Sequence, residues 1–296
     1  MSDFGETPPN HPSITYMLRR FLRPNTKNTL QPKATEGVTS TQPPIEKPQE
    51  LRKTPEAISR TTHVGFFSRP GLDRDNKGWR LKRNDDVAYA EKRQNGIAYG
   101  FVADGVSSAK GWFMAGKLGS HVSKNSGSMN TFDSFLTRIK NGYQDALKSS
   151  QGGRSASTFT GFFVEGNHMR VAHVGDTKLF VLRGGDLRKI TEDHQDPYQK
   201  NRLTRSINTV QDFPVMDMPE MDLQDGDIIF VCSDGIPEEY VNVKNLKSID
   251  QKINSGSQPH TVLKEFVDSI VDQKSKKAIS HVDDASAVFY RHQVSR

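Results

Sequence analysis

The chain has 296 residues, a third of them hydrophobic, a formal net charge of +6 and a single cysteine, Cys232. That length suits one large domain with a tail or two small domains, and one cysteine excludes an internal disulfide, as suits a reducing compartment. No apolar run approaches the roughly 18 residues of a membrane span, and the positive charge is spread out with no nucleic-acid-binding motif, so the expectation is a soluble, cytoplasmic monomer that does not bind nucleic acid.

Residues 1–62 read as a basic, Pro-rich tail, with Pro8-Pro9, Pro12, Pro24, Pro32, Pro43-Pro44, Pro48 and Pro55 among Thr, Gln, Lys and Glu. Such a composition buries too little apolar surface to offset its ordering entropy. Within it, Ile14, Met17, Leu18, Phe21 and Leu22 fall at helical spacing, interleaved with Arg19, Arg20 and Arg23. The stripe over 14–23 reads either as a short amphipathic helix for a membrane surface or partner, or as a transient helix without a role.

Residues 63–296 read as one packed domain. Strands are expected over Asp86 to Glu91 and Ile97 to Ala103, joined across Asn95-Gly96, a strong hairpin signal. Helices follow near Phe113 to Lys124 and Thr131 to Lys148. The second presents Phe132, Phe135, Leu136, Ile139, Tyr143 and Leu147 on one face and takes Asn130 or Thr131 as its cap. Strands are next expected over Thr158 to Glu165, His168 to Val174, Lys178 to Leu182 and Leu187 to Ile190. Then come a strand over Asp227 to Cys232, helices near Val243 to Ile253 and Thr261 to Gln273, and a last strand from Ala285 to Tyr290. Hairpin-linked strands separated by helix pairs imply an α+β fold, antiparallel sheet with helices packed outside it.

Acidic residues mark the ends of these strands. Asp104 follows Tyr99 to Ala103 and precedes Gly105. Asp234 follows Asp227 to Ser233 and precedes Gly235. Asp283-Asp284 opens the last strand, and Asp85-Asp86 opens the first. Strand ends are where a rigid scaffold presents chemistry. Carboxylates converging from four such places repel one another unless cations neutralise them, so the pattern points to an oxygen-built metal site. The histidines show no zinc-ligand spacing. Cys232 lacks the arginine six residues on that a cysteine phosphatase requires, that position being Glu238, and reads as a small packing residue.

The whole series is Asn84-Asp85-Asp86, Asp104-Gly105, Ser157-Thr158, His173-Val174-Gly175-Asp176-Thr177, Leu203-Thr204-Arg205, Ser233-Asp234-Gly235 and Asp283-Asp284-Ala285-Ser286. In order and spacing, over about residues 78 to 291, it resembles the metal-dependent protein phosphatases of type 2C. The resemblance implies a four-layer αββα sandwich, two antiparallel sheets flanked by helix pairs. It implies hydrolysis of phosphoserine and phosphothreonine in phosphoprotein substrates opposed by a cognate serine/threonine kinase, with two magnesium or manganese ions and an attacking hydroxide. Carried over by motif, Asp104 bridges both metals and the Gly105 carbonyl binds one. Asp234 and Asp283 join the first metal, Asp85 the second, and Asp86 holds metal-bound water.

The chain also departs from the family pattern. Arg80 and Arg83 compete as the phosphate clamp, neither at the usual offset, with Arg80 favoured. Asp85 replaces a Glu, Val106 stands where many relatives carry His, and no Asp precedes Ser157-Thr158. Asp176 and His194 are expected to be structural turn and packing residues, and Gly152-Gly153 a plain turn. These departures keep two alternatives open: a catalytically silent binding module with the same fold, and a scaffold whose tail does the work.

Overall fold

The strand-like segments alternate, and the alternation sorts their side chains into separate cores. The computed structural model describes residues 63–75, 78–124, 129–278 and 281–294. The expected tail over 1–62 and its helical stripe at 14–23 lie outside the described residues. In chain order the elements begin with β1 (Val64–Arg69), β2 (Leu72–Asp75), β3 (Gly78–Leu81), β4 (Val87–Lys92), β5 (Ala98–Ala103), α1 (Gly111–Ser123) and α2 (Phe132–Ser149). Then come β6 (Ala156–Ser157), β7 (Phe159–Glu165), β8 (His168–Val174), β9 (Lys178–Arg183), β10 (Asp186–Lys189), β11 (Gln195–Asp196), β12 (Gln199–Leu203), β13 (Ile207–Asn208) and β14 (Glu220–Asp222). β15 (Ile228–Cys232), α3 (Val243–Asn254), α4 (Pro259–Lys277), β16 (His281–Val282) and β17 (Ala285–Arg291) complete the chain.

Two five-stranded antiparallel sheets dominate, one ordered β14-β8-β7-β5-β4 and the other β1-β17-β15-β9-β10. On β5, Tyr99, Phe101 and Ala103 join Met114, Leu118, Phe135 and Ile139 beneath α1 and α2. The alternate residues Ala98 and Val102 join Phe162, Val171, Val181, Ile229, Val231 and Val288 between the sheets. On β15 the same alternation sends Phe230 and Cys232 to a third core with Leu246, Ile249, Leu263 and Ile270 of α3 and α4. Three cores between four layers make the αββα sandwich, and period-two alternation suffices to build it.

Local chemistry sets the helix boundaries. The Thr131 hydroxyl accepts a hydrogen bond from the Ser134 N–H and the Ser134 hydroxyl accepts one from the Thr131 N–H, a reciprocal cap that starts α2. Leu147, expected on the buried face of α2, is exposed. Helix α1 starts two residues before the sequence expectation, because Gly111 packs directly on Gly105: a Cβ on Gly111 would lie 2.0 Å from the Gly105 carbonyl carbon. Strands β1 to β3 were not anticipated. β2 and β3 are short and polar and pair only with each other and β16, so they lack the buried alternation that marks a strand.

Candidate metal centre

One end of the sandwich collects the strand-terminal aspartates. Asp104 leaves β5 and is fixed from β6 and β7: its carbonyl accepts from the Thr158 N–H at 2.8 Å and the Ser157 hydroxyl at 2.9 Å, and its N–H donates to Thr158 Oγ1 at 3.2 Å. Asp176 sits in the turn after β8, where the Gln195 amide donates to its Oδ2 at 2.7 Å. Asp234 follows β15, where Ser233 N–H bonds the Ser286 carbonyl at 3.1 Å and ties β15 to the start of β17. Each of Asp104, Asp176 and Asp234 places a carboxylate oxygen within 4.8 Å of the others. Among the described residues this trio holds no nitrogen or sulfur donor, a set suited to a hard divalent cation such as magnesium or manganese.

Asp86, buried to 5 % exposure, lies beside the trio, and its Oδ2 has no hydrogen-bond partner among the described residues. A buried carboxylate oxygen without a donor is costly, and a bound cation or its water supplies what is missing. Burial first, then the Asp284 charge, raises the Asp86 carboxyl to about 8, with Ser233 and Ser286 partly offsetting. Asp104 is pushed well above the ordinary carboxylate range by burial and by Asp86, Asp234 and Asp176. Enclosure raises Asp234 to about 6, with Asp176 and Asp283 adding repulsion. Its side chain is open to solvent on one side, which screens part of that effect. The raised values mark carboxyls too crowded to ionise together, a repulsion that a divalent cation would offset.

The adjacent acids do structural work. Asp284, 2 % exposed, accepts from the Gly71 N–H at 2.6 Å and the Asp85 N–H at 2.8 Å, stapling β17 to two loops. Asp283 accepts from Lys82 at 3.1 Å; burial alone would raise its carboxyl, but the ammonium holds it below the usual range. Asp85 is partly buried, its carboxyl raised by burial and Asp284 against the pull of Lys82 and Arg83. Two glycines permit the crowding. A Cβ on Gly105 would lie 2.5 Å from the Asp85 carbonyl oxygen, and one on Gly235 would lie 1.6 Å from that of Asp284.

The two candidate arginines differ in setting. Arg80 lies within β3, in register with Asp73, and is exposed. The Arg83 guanidinium stacks on the Trp112 ring at 4.3 Å, and Trp112 follows the Gly111 that packs on Gly105. Asp176 joins the trio although sequence reasoning gave it a turn role. The signal was present, since Gly175-Asp176 ends an apolar strand as Asp104 and Asp234 do. His194 is structural, as expected: it accepts from the Gly175 N–H at 2.9 Å and pairs with Asp217 at 2.8 Å, holding the turn that carries Asp176. Cys232 is fully buried, its thiol pushed up to about 12 by burial, which suits packing and not nucleophilic attack.

Comparison with known proteins bears on the family and the fold. The family model described as protein phosphatase 2C matches residues 80–268. A probable protein phosphatase 2C 58 of Arabidopsis thaliana is 26% identical over 166 residues, 46% of this chain and 56% of that protein, so the match spans little more than half of the curated relative. Among solved structures, PppA, a regulatory component of the type VI secretion system of Pseudomonas aeruginosa, superposes with a TM-score of 0.59 at 20% identity, covering 77% of this chain and 96% of that one. The catalytic domain of the serine/threonine phosphatase PstP, solved with two manganese ions, superposes at 0.55 with 17% identity, covering 77% and 98%. At these identities the structural likeness establishes the sandwich fold.

Proposed function

The chain belongs to the protein phosphatase 2C family, and from that premise we propose that it is a metal-dependent protein serine/threonine phosphatase. The observation that carries the reading is the carboxylate trio Asp104, Asp176 and Asp234 beside the unpartnered Asp86 oxygen. When bound, two magnesium or manganese ions would supply acidified water and offset charge on the phosphoryl oxygens. Asp104, Asp234, Asp283, Asp85 and the Gly105 carbonyl are the proposed holders, Asp176 is an additional one, and Asp86 orients water. Phosphoserine and phosphothreonine proteins are the proposed substrates, and a kinase that makes them the proposed functional counterpart.

Arg83 is the better-supported phosphate clamp, although sequence spacing favoured Arg80. Stacking on Trp112 orients a guanidinium while leaving its edge donors for a phosphoryl group. Val106, beside Gly105, has no proton to give, so the leaving alkoxide takes its proton from solvent.

A silent binding module remains the second reading, favoured by one observation: Lys82 already occupies Asp283, with Nζ 3.1 Å from its Oδ1. Manganese-dependent hydrolysis of a phosphothreonine peptide, with Asp104→Asn as control, separates the two. Among the described residues no helix is long and apolar enough to cross a membrane.

A further inference from the structure

The opposite end of the sandwich carries its own polar cavity. The Asn95-Gly96 turn between β4 and β5, the Gly166-Asn167 turn between β7 and β8, and the chain leaving β17 enclose about 430 Å³. Its polar lining includes Lys92, Asn95, Asn167, Tyr290, His292 and Gln293, with no carboxylate among the lining residues. From Ala98, where β5 begins, to Asp104 is six residue steps or about 20 Å, so the cavity is separate from the carboxylate cluster.

His292 is 2 % exposed and its Nε2 has no hydrogen-bond partner among the described residues. Its position is fixed by its backbone, whose N–H donates to the Asp227 carbonyl at 2.8 Å and whose carbonyl accepts from Gly226 N–H at 3.0 Å. The Tyr290 hydroxyl lies 3.3 Å from Nδ1. The neutral phenol is both donor and acceptor, so either imidazole tautomer satisfies Nδ1, and an anion in the cavity would select the one that carries the proton on Nε2. Lys92 adds an ammonium with no carboxylate partner among the described residues. Two acids act on His292 from outside the lining: Asp227, paired with Arg183 at 2.6 Å, and Asp225, which accepts from the Val294 N–H at 3.1 Å.

A cavity that sets a lysine ammonium, without a carboxylate partner among the described residues, beside a buried ring nitrogen able to present an N–H suits an anion. We propose that it binds a small oxyanion, a metabolite bearing a carboxylate or a phosphate. Its volume falls within the range of small-molecule sites, about 300–1,000 Å³. The inference does not rest on the phosphatase reading, since none of its residues belongs to the metal centre.

The test is amide and imidazole NMR on the full-length magnesium-loaded protein, titrated separately with succinate and with inorganic phosphate. Saturable shifts at the Gly96 and Asn167 amides and at the His292 ring, with a Kd of about 1 mM or tighter, are expected for at least one probe. Succinate alone assigns a carboxylate ligand, phosphate alone a phosphate ligand, and both a general oxyanion site. Lys92→Met, with an otherwise unchanged spectrum, should weaken binding about tenfold. Shifts confined to the Gly105 and Gly235 amides, no saturation with either probe, or equal binding in Lys92→Met would overturn the proposal and leave an ordered water as the partner of Nε2.

Discussion

The two ends of β5 share one rigid strand and carry opposite electrostatics. At the Ala103 end, carboxylates of Asp104, Asp176, Asp234 and Asp86 crowd together, with acceptors in excess. At the Ala98 end, the Lys92 ammonium and the unpartnered Nε2 of His292 line a cavity without a carboxylate. Between them β5 is buried throughout, every residue from Ala98 to Ala103 being closed to solvent. The sandwich thus confines unsatisfied polar groups to its two ends, where chain turns can aim them and a ligand can enter. The acidic end calls for cations, the basic end for an anion.

The largest expected effect breaks the acidic end alone. Asp104→Asn should lower kcat on a phosphothreonine peptide by on the order of 1,000-fold, while circular dichroism and thermal melting report an intact fold, because the apolar cores do not use this carboxylate. Near-wild-type turnover in that variant would remove Asp104 from the centre. Chelation should act almost as strongly: dialysis against EDTA abolishes turnover and manganese restores it better than magnesium, because it tolerates irregular oxygen coordination. Manganese should also raise the melting temperature of the native protein and not of Asp104→Asn. Undiminished activity after exhaustive chelation contradicts the assignment.

Charge at the same end also predicts a pH dependence. The folded-state carboxyls of Asp86 and Asp234 titrate at about 8 and about 6, above the value of about 3.9 for an unfolded Asp. Between those values the folded, metal-free protein keeps protons that the unfolded chain has lost, so its stability falls as pH rises. The contribution is complete below about pH 4 and is lost through the folded values. In EDTA the protein should therefore melt at a lower temperature at about pH 8 than at about pH 5, and manganese should flatten the difference. A melting temperature that rises over that interval would show that the cluster does not repel itself.

Smaller effects sharpen the contrast between the ends. Arg83→Lys should raise KM about fivefold, since a lysine neither stacks on Trp112 nor forms two parallel hydrogen bonds to phosphate. Arg80→Lys should leave KM near that of the native protein, and the reverse order would return the clamp to Arg80. Lys92→Met should change kcat/KM by less than about twofold, as expected of a group on the far side of a rigid strand. A larger loss would mean that the two ends are coupled.

Much of the domain was legible because its signals are local. Alternation on β5, β7, β8, β15 and β17 follows from side chains pointing to opposite faces of a strand. The Asn95-Gly96 and Gly166-Asn167 turns were written in residues that accept positive φ, as both glycines do, at 82° and 61°. Strands β2 and β3 were not legible, because short polar strands carry no alternating burial to betray them.

The sequence by itself marked candidate metal ligands: aspartates at the ends of apolar strands, two of them, Asp104 and Asp234, followed by glycine. It also placed them in a family order. Only the tertiary structure decided which carboxylates meet. Asp176 came into the trio because the turn after β8 emerges at the same end of the sandwich as those after β5 and β15, whereas Asp284 was drawn into backbone hydrogen bonds and Asp283 onto Lys82. Donor chemistry is a property of each side chain and can be read one residue at a time. Convergence depends on strand order and register across two sheets, which join residues far apart in the chain, 213 positions in the case of Gly71 and Asp284.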